Sequence, residues 1–166
     1  MTLSIMDWLA AGNDRFAEDF AHGHLSMVPA KQFAIVTCMD PRLHPETFLG
    51  LSIGDAHVIR NAGGRVSGDV IRSLIVSARL LRTREFVVIH HNDCSMLTFS
   101  NTDLHQHLAS ETGLDATHID FLPFSDIADS VREDVDAIRS SPYLPTEAVV
   151  SGLIYDVFSG RIERVM

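Results

Sequence analysis

The sequence predicts an α/β fold in a single domain spanning residues 1–166, with a mainly parallel central sheet flanked by helices. About four parallel strands plus one further strand are expected. Three observations predict it. Four short segments rich in Val and Ile read as buried central strands. Amphipathic helical stretches lie between them, which is the alternation of a parallel α/β layer. The 166 residues contain no repeat, low-complexity tract or linker, and make one domain's worth of chain.

Residues 4–21 read as a helix with Ile5, Trp8, Leu9, Phe16 and Phe20 on its apolar positions. The stretch HGHLSMVPAKQ then breaks it, so residues 1–26 form an N-terminal helical arm that packs either on a partner subunit or on the chain's own sheet. The strands are Phe33–Thr37, His57–Ile59, Phe86–His90 and Ala148–Val157. Residues 68–82 place Ile71, Leu74, Ile75, Ala78 and Leu81 on one stripe, with Ser67 or Asp69 as the cap. Residues 102–111 read as a shorter, more polar helix. Residues 126–139 carry the stripe Ile127, Val131, Val135 and Ile138. The tail YDVFSGRIERVM reads as a hairpin turning at Ser159-Gly160.

The formal net charge is −9, which argues against nucleic acid or an anionic membrane as the main partner. Arg60, Arg65, Arg72, Arg79, Arg82 and Arg84 are spread among apolar residues and read as solvated faces and local ion pairs. No stretch approaches the length of a membrane span. MTLSIMDWLAAGNDRF has no basic lead and carries Asp7 and Asp14, unlike a signal peptide, so a cytoplasmic location is expected. In that compartment the two cysteines are not expected to form a disulfide.

Both cysteines fall just past a predicted strand. IVTCMDPRLH places Cys38, Asp40 and Arg42 at alternate positions after the first strand, and VVIHHNDC ends the third with His91 and Cys94. In open α/β sheets, sites collect at this edge. Two thiolates and an imidazole suit zinc, and three protein ligands with an open fourth position mark a catalytic metal. Taken singly, the cysteines read as small buried hydrophobes, His91 as a core imidazole, and Asp40 with Arg42 as a surface ion pair. Those readings leave the shared edge unexplained. A carboxylate at Asp40 can accept the proton of a metal-bound water, or enter the coordination sphere and close the site. Arg42 can clamp it bidentately and hold it off; both residues face one water provided the backbone stays extended there.

The motifs Cys38-Met39-Asp40-Pro41-Arg42 and His91-Asn92-Asp93-Cys94 resemble, in order and separation, the two signatures of the β-class carbonic anhydrases. HVIRNAGGRVSGDVIRSL, from His57 to Leu74, is similar to that family's middle region, and SGLIYDVFSGRIERV to its last strand. The resemblance covers most of the chain from about Met27 onward. It implies a zinc enzyme whose metal-bound hydroxide attacks a small linear electrophile, with Cys38, His91 and Cys94 as ligands and Asp40 with Arg42 as the catalytic dyad. The implied reaction is reversible hydration of carbon dioxide to bicarbonate, in a homodimer or homotetramer. Asn61, Gly63 and Gly64 follow the second strand on the same edge, where glycines let backbone approach such a substrate; an ordinary turn is the alternative. Ser95 stands where the family commonly has Gly. His44 or His57 would relay the proton to solvent. The chain is short and resembles the compact branch of the family, which includes carbonyl sulfide hydrolases, so carbonyl sulfide is the alternative substrate. Two further readings are a closed structural site of Cys38, Asp40, His91 and Cys94 in a binding module, and a thiol enzyme using Cys38 or Cys94 with His91.

Overall fold

In the structure, a computed structural model that describes residues 4–166, five strands form one sheet in the order β2-β1-β3-β4-β5. The expected arm begins at Met1, and residues 1–3 lie outside the described residues. Strands β1 (Phe33–Cys38), β2 (Ala56–Asn61), β3 (Glu85–His91) and β4 (Val149–Tyr155) are parallel, and β5 (Ile162–Arg164) returns antiparallel to β4. The fold class matches the expectation. Each strand extends or contracts by one or two residues from its predicted limits. The tail hairpin turns where Gly160 takes φ +70°.

Helix α3 (Gly68–Leu81) starts where the Ser67 side chain accepts a hydrogen bond from the Val70 N–H, and α5 (Ile127–Arg139) where Asp126 does the same for Asp129. Their stripes meet one face of the sheet. Val36, Phe86 and Val88 pack there with Leu74, Val131 and Val135, all buried. The other face carries a second cluster around Ile35, Leu43, Ile89, Met96 and Tyr155. Because side chains alternate along a strand, neighbouring residues of β3 serve different faces. Helix α4 (Asn101–Thr112) buries none of its residues, as its polar sequence implies. The short helix α2 (Pro45–Phe48) and single turns at 62–64 and 95–97 were not predicted. Each is too short to show a periodicity.

Helix α1 (Ile5–Glu18) is fixed at its start by a capping box of Ser4 and Asp7. It buries none of its residues against the chain, and Trp8 is 60% exposed. Packing of this helix on the chain's own sheet is therefore not what the structure shows. No described helix is long and apolar enough to cross a membrane.

Candidate active site

Cys38 ends β1 and pairs in register with Asn61 at the end of β2. His91 ends β3, and Cys94 follows after a turn in which Asp93 adopts φ +53°, a conformation that Asp tolerates better than most residues. These three side chains converge. One ligand atom from each of Cys38, His91 and Cys94 lies within 4.8 Å of the others, and all three residues are buried. They form the only such His, Cys, Asp or Glu group among the described residues.

The His91 ring is oriented by its neighbours. Its Nδ1 lies 2.7 Å from the Asn92 carbonyl, which can only accept, so Nδ1 carries the hydrogen. Nε2 is left with a lone pair, buried, without a hydrogen-bond partner. Asn92 is itself held, donating to Asp156 Oδ1 at 2.8 Å and accepting from the Val157 N–H at 2.9 Å. A buried polar atom without a partner costs roughly 1–3 kcal/mol. An electron-pair donor aimed at two thiols is the arrangement a cation completes. The thiols agree with this. Contact with the Cys94 thiol pulls the Cys38 pKa well below the usual thiol range against the cost of burial, and the same contact pushes Cys94 up. Burial opposes charge on His91 most strongly, but the Cys38 thiolate, the Asn92 carbonyl and Asp40 together outweigh it and raise the imidazole pKa. Without a cation the three groups thus compete for protons that a metal ion would displace.

Asp40 sits beside the trio, its Oδ2 3.9 Å from His91 Nε2. The backbone does not stay extended after β1, as the alternate spacing had implied. It turns, with the Leu43 N–H donating to the Asp40 carbonyl. The turn brings Arg42 back on Asp40 by a different route: the Arg42 N–H and Nε donate to Oδ1 at 2.9 and 3.0 Å, and Nη2 donates to Oδ2 at 2.7 Å. These bonds hold the Asp40 pKa at about 2, and Asp40 first and Asp93 second raise that of Arg42. Asp93 was missed by sequence reasoning. Its carboxylate accepts from Arg42 Nη1 at 2.7 Å and its carbonyl from Nη2 at 3.1 Å. Arg65, read as a solvated residue, is buried at 7% exposure, whereas Arg60 is exposed as expected and also donates to the Cys38 and Asp40 carbonyls at 3.1 and 2.7 Å. Both contacts join residues at least 20 apart in sequence, and no local pattern signals them.

A cavity of about 260 Å³ opens over this group, bounded by Cys38, Asp40, Gly63, Cys94 and Ser95, with Met39, Pro41 and Ala62 as apolar wall. Asn61 and Gly64 stand behind it. Asn61 braces the turn, its Nδ2 donating to the Arg65 carbonyl at 2.8 Å and its own carbonyl accepting from Met39. Gly64, at φ +72°, has no room for a Cβ: one would stand 2.9 Å from both Cys38 N and Thr37 C. His44 stands exposed at the start of α2. His57 lies near the opposite end of β2, about 13 Å along the strand from Asn61, with its Nδ1 2.8 Å from Ser77 Oγ; it is not a neighbour of the site. A larger cleft of about 480 Å³ opens around Arg79, Arg82 and Arg84 at the start of β3 and β4, away from the thiols.

A family profile described as carbonic anhydrase matches residues 33–162. β-Carbonic anhydrase 1 of Mycobacterium tuberculosis is 41% identical over 165 residues, covering 98% of this chain and 99% of that protein. The solved carbonic anhydrase of Streptococcus mutans superimposes with a TM-score of 0.95 at 46% identity, over the full length of both chains. A carbon disulfide hydrolase from Acidianus is 28% identical, over 89% of this chain and 84% of that one. With a match that spans β1 to β5 and includes every residue gathered around the two thiols, the chain belongs to the β-carbonic anhydrase family.

Proposed function

We propose that this enzyme hydrates carbon dioxide reversibly to bicarbonate, with zinc held by Cys38, His91 and Cys94. The observation that carries the reading is the buried, unpartnered His91 Nε2 facing two thiols, with an ionised carboxylate 3.9 Å away. Two thiolates and one imidazole with an open side match the donor set and openness of catalytic zinc. Zinc bound there supplies Lewis acidity, which makes water a nucleophile near neutral pH. The chain's own residues supply the rest. Asp40, kept ionised by Arg42, accepts a hydrogen from the attacking water and aims its lone pair at the substrate carbon. Arg42 occupies both Asp40 oxygens and so keeps the carboxylate off the trio, which argues against the closed structural site. Ala62, Gly63, Met39 and Pro41 give the substrate an apolar wall that excludes other water. Ser95 adds a hydroxyl at the rim.

Similarity to carbon disulfide hydrolases supports a second reading, in which the same site hydrolyses carbonyl sulfide to carbon dioxide and hydrogen sulfide. Higher identity to named carbonic anhydrases favours hydration. We place the enzyme in the cytoplasm, where its thiols stay reduced, and assign the arm of residues 1–26 to a second copy of the chain in a homodimer or homotetramer. The test is metal dependence. Chelation is expected to abolish carbon dioxide hydration and zinc to restore it at one ion per chain. Full hydration by zinc-free protein would overturn the proposal and favour the thiol enzyme.

A further inference from the structure

On the face of the sheet opposite the thiols lies a buried polar cluster that the reaction chemistry leaves unused. His90 precedes His91 on β3, so the two imidazoles leave the strand on opposite faces. His90 is fully buried. Its Nε2 faces the Gly64 carbonyl at 3.3 Å and therefore donates to it. Its Nδ1 lies 2.8 Å from Ser130 Oγ on α5. Asp134 Oδ2 stands 3.0 Å from His90 Nε2 and 3.1 Å from Arg65 Nε. Neither contact is aligned as a hydrogen bond, and the Arg65 guanidinium supplies the charge opposite the carboxylate. Arg65 is 7% exposed and Asp134 3%. The Phe124 ring stacks on His90 with centroids 5.4 Å apart, and the Arg65 guanidinium carbon lies 5.6 Å from the ring centre.

Buried ion pairs of this kind add little net stability, and apolar replacements of similar volume are often as stable. What the cluster does have is direction. His90 holds the Gly64 carbonyl, and Arg65 is the next residue in the chain. Gly64 in turn lies flat against the Thr37–Cys38 peptide, with no space for even one methyl group between them. The cluster therefore bears, through Gly64, on the peptide that carries the first thiol.

We propose that His90 is a positioning residue for the metal centre. Together with Asp134 and Arg65 it fixes Gly64, and Gly64 sets the distance of Cys38 from His91 and Cys94. The inference rests on the zinc reading above. It is tested in the full-length protein loaded with Co²⁺, whose visible bands report thiolate geometry, and in the zinc form by the rate of metal loss to a chelator. His90→Leu removes both ring nitrogens; His90→Gln keeps an N–H that can reach Gly64. His90→Leu is expected to shift the Co²⁺ bands and to lose zinc about 10-fold faster, the low end of what outer supports of a metal ligand contribute. kcat falls with little change in KM, and His90→Gln recovers most of the difference. Should His90→Leu not fold, Ser130→Ala is expected to show a smaller shift of the same sign. A folded variant that melts earlier yet keeps the wild-type spectrum and rate of zinc loss would overturn the inference alone. A wild-type chain that binds no Co²⁺ would overturn the zinc reading, and this inference with it.

Discussion

Cys38→Ser and His91→Ala each remove one donor from a buried trio, and both are expected to drop zinc well below one ion per chain, as elemental analysis of purified protein would show. Asp40→Asn leaves the trio intact. It should keep its zinc and lose turnover by roughly 100-fold or more, the range for a positioned proton acceptor; an Asn variant with full activity would remove Asp40 from the chemistry. Arg42 bears on the same carboxylate. Its hydrogen bonds lower the Asp40 pKa from 3.8 to about 2. A depressed folded-state pKa stabilises the fold above the unfolded value, and that contribution disappears as pH falls through the folded value. Arg42→Ala should therefore raise the Asp40 pKa toward the ordinary range, followed by the carboxyl carbon resonance across pH 2–5; an unmoved titration would contradict the clamp. The two thiols and His91 were legible in the sequence because a two-cysteine chain placed both at strand ends. Asp93, Arg60 and His90 were not. Asp93 and His90 sit inside or beside a motif that explains itself without them, and Arg60 reads like any surface arginine.

At the scale of elements, the strands were legible from their Val and Ile runs, and α3 and α5 from their stripes. The turn after β1 was not. Alternate spacing suggested an extended Cys38–Arg42 segment, whereas the Leu43-to-Asp40 hydrogen bond closes a turn there. An Asp-Pro dipeptide permits such a turn as readily as an extended run. The segment after β2 gives the sharpest element-level test. Gly64→Ala puts a methyl group 2.9 Å from Cys38 N at a residue with φ +72°. The left-handed conformation alone costs about 1–2 kcal/mol with a side chain, and the facing atoms are backbone that cannot rotate away. Loss of stability beyond that amount is expected in denaturant titration, together with weakened metal binding. Gly68→Ala, where a Cβ meets open space, is the matched control and should fold normally.

At the scale of the whole molecule, the sequence showed that α1 is amphipathic but not what it packs against. Its apolar face, including Ile5, Met6, Trp8 and Phe16, is left more than half exposed at each of these residues, uncovered by the other described residues. Assignment to a second copy predicts that Trp8→Asp with Leu9→Asp shifts sedimentation from a dimer or tetramer toward the 18.3 kDa chain; an unchanged oligomer would place the interface elsewhere. The residues of the site define a nucleophile, and one nucleophile can attack carbon dioxide or its sulfur analogues. The most direct measurement is therefore carbon dioxide hydration by the zinc-loaded protein, run beside sulfide release from carbonyl sulfide on the same sample. Rapid hydration with negligible sulfide is expected. Efficient sulfide release with feeble hydration, or zinc bound with neither activity, would contradict it.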